Sequence, residues 1–256
     1  MEITILGSGS YQPELSRHSA GYLVRAGKKN LVFDFGRGAV DQLMKVGVNY
    51  YDIDAIFITH LHSDHCSDLL AVLHILLIEP AFLSFRKKKL VVYGPVGFNK
   101  VMAKLMVIFN LTKYRPQYKI VFKEIKDGQS ARIGSCQIRG YKVKHSRTWN
   151  CLAYRISANK KVLTYSGDSE QCPGLLKAAR GADLAILEAS WPEKFIAGGH
   201  MSASQAAALA QKAGVKRLVL SHMHSFYFRK YNPLAEAKKN YRDQVVVARD
   251  LMVIDV

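Results

Sequence analysis

The chain reads as a layered α/β protein. Short β-like runs recur along it, helical stretches stand between groups of them, and 49% of its 256 residues are hydrophobic, enough for a large buried core. No linker, repeat or low-complexity tract interrupts residues 1–256, so one domain is expected.

The elements follow in order. A first strand is expected over residues 2–6, ending at Gly7-Ser8-Gly9-Ser10. That turn lacks the full glycine pattern of a nucleotide-binding loop and is read as a border of the functional site. Strands over 21–26 and 31–35 precede a helix over 37–47, and Ala55-Ile56-Phe57-Ile58-Thr59 forms the next strand, 55–59. A helix over 67–78 places Leu69, Val72, Leu73, Leu76 and Leu77 on one buried face, with Pro80 as its stop and His74 structural. The apolar stretch from Leu69 to Leu83 is broken by His74, Glu79 and Pro80, and its unbroken runs fall short of the roughly 20 residues a membrane span needs. Residues 81–111, rich in Phe, Met and Leu around a basic run, suit a flap, a dimer contact or core. Further strands are expected at 90–93, 119–124, 131–144, 151–157, 161–165, 184–188, 217–220 and 252–255, and helices at 97–109, 173–180, 202–213 and 233–243.

The chemistry concentrates in His60-Leu61-His62-Ser63-Asp64-His65, three imidazoles and a carboxylate directly after a strand. Imidazole and carboxylate are the ligands that borderline divalent metals such as zinc prefer, and residues two apart in an extended segment project to one side. The bland alternative is a solvated His-rich loop. Three further polar residues also stand at strand ends: His145 after residues 138–144, Asp168 after 161–167 and His222 after 217–221. Taken singly, His145 is a surface or satisfied core histidine and Asp168 a turn or helix cap. Beside the cluster they become candidate ligands on one sheet edge.

These stretches resemble the metallo-β-lactamase superfamily, and within it the ribonuclease Z-like branch. The resemblance spans nearly the whole chain: residues 3–10, Phe33-Asp34-Phe35-Gly36-Arg37-Gly38, the HxHxDH pattern at 60–65, 92–95, Ser166-Gly167-Asp168, 186–190, Gly199-His200-Met201-Ser202-Ala203 and Leu220-Ser221-His222. It implies a four-layer αββα sandwich, which periodicity alone does not give. It implies that His60, His62 and His145 hold one Zn2+, that Asp64, His65 and His222 hold a second, and that Asp168 bridges them, with Mn2+ or iron as alternative metals. Asp64 would also serve as general base, while Glu188 would orient His200 as the acid that protonates the leaving oxygen. His224 and His18 are candidate substrate contacts.

Three departures from the branch stand out. Leu187 replaces the histidine of its His-Glu-Ala-Thr loop, and His224 takes the place of a small polar residue, where it can meet a substrate phosphate, compete as a ligand or face solvent. Only 22 residues separate His145 from Asp168, an interval that holds a long tRNA-gripping arm in the tRNA-processing enzymes. A partner subunit could supply that grip, so a homodimer is a possible assembly.

Composition adds a polyanion signal. Lys and Arg number 37 against 20 Asp and Glu, a formal charge of +17. The surplus concentrates in Arg86-Lys87-Lys88-Lys89 and in residues 113–144, where Tyr114, Tyr118, Phe122 and Tyr141 are interleaved. That mixture suits stacked bases, or else those aromatics are the core faces of amphipathic strands. Four cysteines without a CxxC pair read as reduced thiols, oxidation of Cys66 would perturb the second metal, and the start of the chain lacks a basic, cleavable leader, so a cytoplasmic protein that does not enter the membrane is expected.

The expected function is a binuclear zinc-dependent phosphodiesterase acting on RNA or a nucleotide diester through water activated between the metals. Alternatives are a β-lactamase, lactonase or thioesterase of the same fold, and a nucleic-acid-binding protein with a structural metal site. A structural site, however, needs only four closed ligands. By the same resemblance, a flavin-linked iron variant would replace or add carboxylate at the second His position and carry a flavin domain, and neither is expected here.

Overall fold

The computed structural model describes residues 1–78, 88–116, 118–195 and 198–256. The strands are β1 (Glu2–Gly7), β2 (Gly21–Ala26), β3 (Lys29–Phe35), β4 (Ala55–Phe57), β5 (Leu90–Pro95), β6 (Ile120–Ile125), β7 (Ser130–Ile133), β8 (Cys136–Val143), β9 (Cys151–Ala158), β10 (Lys161–Tyr165), β11 (Leu184–Glu188), β12 (Arg217–Ser221), β13 (Gln244–Val247) and β14 (Val253–Asp255). The helices are α1 (Ala39–Lys45), α2 (Ser63–Ile78), α3 (Phe98–Ile108), α4 (Pro173–Ala179), α5 (Ala203–Ala213), α6 (Ser225–Lys230) and α7 (Pro233–Lys238).

Two seven-stranded sheets form, in the orders β14-β1-β2-β3-β4-β5-β6 and β13-β12-β11-β10-β9-β8-β7. The strand alternation sorts side chains into three apolar layers. Tyr22, Phe33, Phe57, Tyr154, Ile156, Leu163 and Ile186 meet between the sheets. Val32, Ile56 and Val92, on the opposite face of the first sheet, pack on Leu69, Val72, Leu73 and Leu76 of α2 and Phe98 and Met102 of α3. Ala185, Leu187, Leu218 and Leu220 pack outward on α4, α5 and α7. The result is the expected αββα sandwich.

β3 through β6 run parallel, as do β10 through β13. Both faces of such strands are covered, which explains why β5 reads as Leu90-Val91-Val92-Tyr93-Gly94-Pro95 with every residue buried. β8 and β10 both run antiparallel to β9, so their C-terminal ends share an edge with β11 and β12. Ligands gather at the carboxyl ends of strands in open α/β sheets; that edge carries His145, Asp168 and His222, while the segment after β4 in the first sheet and the start of α2 bring His60, His62, Asp64 and His65. Tyr154 Oη donates to the Ile58 carbonyl at 2.8 Å and Leu152 N–H to the Thr59 carbonyl at 3.0 Å, which ties the second sheet to the strand leading into the His cluster.

Several elements differ from expectation. The strand expected at 131–144 is a hairpin of β7 and β8, broken at Gly134 with φ 58°. α2 begins at Ser63, so Asp64 and His65 stand on a helical first turn and not in a loop. Strand β13 and helix α6 lacked a readable period, and α7 ends at Lys238. Leu69, Val72, Leu73, Leu76 and Leu77 are buried as expected and His74 is exposed, while Pro80 and the stretch through Lys87 lie outside the described residues. No described helix is long and apolar enough to cross a membrane. Between His145 and Asp168 the chain forms β9, β10 and their connections, and no further element. Tyr118 is buried and Phe122 packs edge-on against Phe98 at 6.0 Å, so these two of the interleaved aromatics belong to the core.

Candidate metal centre

Two ligand groups face each other across the sheet edge. His60, His62 and His145 form one; Asp64, His65, Asp168 and His222 form the other, each set with its ligand atoms within 4.8 Å of one another. His62 Nδ1 lies 3.1 Å from His60 Nε2 and 3.0 Å from His145 Nε2. His222 Nε2 lies 3.1 Å from His65 Nε2 and 3.2 Å from Asp64 Oδ2. Asp168 stands between the groups. Its Oδ1 is 3.3 Å from His65 Nε2 and 3.4 Å from His222 Nε2, and its Oδ2 is 3.8 Å from both His60 Nε2 and His145 Nε2.

The outer nitrogen of each buried imidazole has an acceptor, and this fixes which nitrogen looks inward. His145 Nδ1–H donates to the Gly199 carbonyl at 2.8 Å. His65 Nδ1–H donates to Asp34 Oδ2 at 2.7 Å. Thr59 Oγ1 gives its proton to Asp34 at 2.8 Å and therefore accepts from His60 Nδ1–H at 3.0 Å. Ser190 Oγ gives its proton to Glu188 at 2.9 Å and accepts from His222 Nδ1–H at 3.0 Å. Four Nε2 lone pairs, His62 and two carboxylates thus converge, and among the described residues buried Asp168 Oδ1 has no hydrogen-bond partner. So many acceptors facing one another suit a cation between them, and this donor set fits a divalent metal site.

Electrostatics agree. Burial drives the His60 and His62 pKa values down, leaving both neutral, as ligation requires. Burial alone would raise the Asp64 carboxyl, but His65 and His222 outweigh it and hold it at about 2. Burial likewise opposes ionisation of Asp168, yet His222, His65 and His60 keep it well below the carboxylate range. His65 is the exception: burial disfavours its charge, but Asp168, Asp34 and Asp64 hold its second proton far above the usual imidazole value, and a cation would have to displace that proton from Nε2. Two backbones here are bent into the left-handed region, Asp34 at φ 54° and His222 at φ 57°, a local cost that surrounding contacts sustain.

Glu188 and His200 meet as expected, Oε1 to Nδ1 at 2.9 Å. Burial would lower the His200 pKa, but the hydrogen bond and charge of Glu188 raise it to about 9. His200 also lies within 4.8 Å of ligand atoms of His145 and Asp168, though its Nδ1 is engaged by Glu188. Leu187 faces the outer helices on the strand side opposite Glu188, so the missing branch histidine takes nothing from the ligand cluster. His18 gives Nδ1 to Asp250 at 2.7 Å and packs on Gly38; His224 stacks on Trp191 and caps α6. Cys66 donates to the His62 carbonyl at 3.2 Å, and burial pushes its thiol up to about 11.

A model of the "Beta-lactamase superfamily domain" matches residues 18–223. The chain belongs to the beta-lactamase superfamily. Within the superfamily it is a ribonuclease Z-like metal-dependent hydrolase. It is 26% identical to Ribonuclease Z of Archaeoglobus fulgidus, covering 100% of this chain and 97% of that protein. That alignment is 309 positions long against 256 residues here, so the relative has stretches without a counterpart. Ribonuclease Z of Mycolicibacterium gilvum is 31% identical over 87% of this chain and 84% of its own. Among superfamily structures, the metallo-beta-lactamase fold protein YhfI of Bacillus subtilis matches with TM-score 0.85 at 24% identity, covering 99% and 98%. Human tRNase Z, short form, matches with TM-score 0.79 at 25% identity, covering 100% and 99%.

Sequence reasoning gave no role to Asp34, Thr59, Tyr165, Ser190 or the Gly199 carbonyl. Asp34 carried one readable signal, an acid inside the apolar run Leu31-Val32-Phe33-Asp34-Phe35. It accepts from Thr59 N–H at 2.7 Å and Tyr165 Oη at 2.6 Å, besides Thr59 Oγ1 and His65. The others are ordinary residue types until the fold sets them behind a ligand.

Proposed function

We propose that this chain is a binuclear zinc phosphodiesterase that cuts RNA. The carrying observation is the double ligand set with Asp168 turning one oxygen to each half, beside the hydrogen-bonded pair Glu188 and His200. Ribonuclease Z relatives spanning nearly the whole chain support RNA as the substrate class, as does the charge of +17.

His60, His62 and His145 would hold one cation and Asp64, His65 and His222 the other, with Asp168 shared. When bound, two such cations acidify a water and neutralise charge growing on the phosphodiester oxygens. Asp64, held ionised, accepts the proton of the attacking water. Glu188 holds His200 by Nδ1, leaving the opposite nitrogen to give its proton to the departing oxygen. With its pKa raised to about 9, His200 keeps that proton through the neutral range.

The test is metal analysis of the purified protein alongside hydrolysis of bis-p-nitrophenyl phosphate, a β-lactam and a 3′-extended RNA. Two zinc per chain with turnover of the diester and the RNA, and none of the β-lactam, is the expected result. His62→Ala and Asp64→Ala should each lower the rate by at least about a hundredfold while the far-ultraviolet spectrum stays native; wild-type rates in Asp64→Ala would overturn the mechanism. Glu188→Gln and His200→Ala should cost far more with an alkoxide leaving group than with nitrophenolate, which leaves without a proton. Equal losses would remove the acid pair from the reaction.

A further inference from the structure

An aromatic wall stands next to the ligand cluster. Trp191 directly follows Ser190, whose Oγ is 3.0 Å from His222 Nδ1. The His224 ring lies over Trp191 with centroids 4.7 Å apart and planes 21° from parallel. Tyr11 joins them at 5.8 Å from His224 and is 61% exposed, while Trp191 and His224 are half-buried. Backbone contacts hold the wall in place: Met223 N–H donates to the Ser8 carbonyl at 3.2 Å, Gly9 bridges Met223, and His224 N–H reaches the Ser190 carbonyl at 3.4 Å. His224 Nδ1 accepts from Phe226 N–H at 3.1 Å, so its proton sits on Nε2 and the ring is locked by the α6 cap.

We propose that Tyr11, Trp191 and His224 form a stacking platform for the nucleobase flanking the scissile phosphate of single-stranded RNA. It rests on the phosphodiesterase reading and names how that site grips its substrate. Rigid π faces a few residues from the ligands suit a base whose phosphate sits at the metals, and stacking accepts every base because every base has a π face. His224 is then a wall and a donor through Nε2–H. The cap bond takes its Nδ1, leaving it no part as a ligand through that atom.

The chain has two tryptophans, so Trp149→Phe leaves Trp191 as the only indole reporter. In that background, an adenylate hexamer should quench Trp191 fluorescence and an abasic hexamer of equal charge should not; equal quenching by the two, or none by either, overturns the platform. The kinetic arm compares thymidine 5′-(p-nitrophenyl phosphate) with methyl p-nitrophenyl phosphate, which share a leaving group and differ in the nucleoside, base and sugar together. Trp191→Ala should lower the ratio of their kcat/KM values about tenfold, mainly through KM, and Trp191→Phe should restore most of it. An unchanged ratio in Trp191→Ala also overturns the platform. If the unmutated chain turns over neither ester, the phosphodiesterase reading fails, and the fluorescence arm still decides the stacking.

Discussion

Asp34 shows how much one buried side chain can organise. Fully enclosed, it receives protons from Thr59 N–H, Thr59 Oγ1, His65 Nδ1 and Tyr165 Oη, and through Thr59 it also fixes His60. Its charge therefore sets the orientation of a ligand in each half of the site. Asp34→Asn keeps the shape but brings an NH2 where protons are already offered. The expected outcome is a 10–100-fold loss of zinc affinity, read by competition with a chromogenic chelator, while Asp34→Glu does not restore it because the longer arm misplaces the carboxylate. Unchanged affinity in Asp34→Asn would show that His65 is positioned by packing alone.

The metal site depends on close approaches between elements. The first turn of α2 carries Asp64 and His65 and lies directly on Gly36, at the end of β3: a Cβ there would stand 2.0 Å from the Asp64 carbonyl oxygen and 2.9 Å from that of Ala20. Gly36→Ala is expected to push α2 outward, costing about 1–3 kcal/mol by overpacking and weakening the Asp64, His65 and His222 half of the site before the other. Sub-stoichiometric zinc at native helix content, measured by metal analysis and circular dichroism, is the signature; full occupancy would show that α2 slides without losing its ligands. The elements also mark where sequence reading stopped. β5 and α2 were legible because a fully apolar run and a one-sided helix face carry their own signal. β13 and α6 were not, because Gln244-Val245-Val246-Val247 is a short edge strand and Ser225–Lys230 a six-residue helix held by the His224 cap, too brief for a period to show.

The molecule as a whole separates stability from chemistry. The ligands crowd the carboxyl ends of the strands, whereas Asp54 anchors the opposite edge of the first sheet, pairing with Lys29 at 2.9 Å and Lys88 at 3.0 Å and accepting from Asn30 N–H at 2.9 Å. Burial works against its charge, but the Asn30 amide and the two lysines outweigh it and lower its pKa. A folded-state value below the unfolded one means stability that is present above the ordinary carboxylate value of about 3.9 and lost as pH falls through the folded value. Asp54→Asn should lower Tm at pH 7, and the gap to the unmutated chain should close in strong acid; a gap constant with pH would exclude the linkage. On the proposed zinc reading, metal should also stabilise the whole chain, since the folded ligand set would bind it and the unfolded chain would bind it weakly. Free zinc at a hundred times Kd should add about 2.7 kcal/mol, and a chelator should lower Tm accordingly in calorimetry.

The residue string alone specified the apolar faces of single strands and helices and the metal-preferring residue types, because burial periodicity and metal preference are properties of residues in order: HxHxDH after a strand, and His145, Asp168 and His222 after three more; periodicity did not give the stacking of the four layers. It could not specify which imidazole nitrogen faces inward, or that Trp191 and His224 stack. Those facts arise where the two sheets close on each other, as residues far apart in the chain, such as His65 and His222, come within 3.1 Å. Contacts at such separations follow from how the layers pack, and no local pattern encodes them.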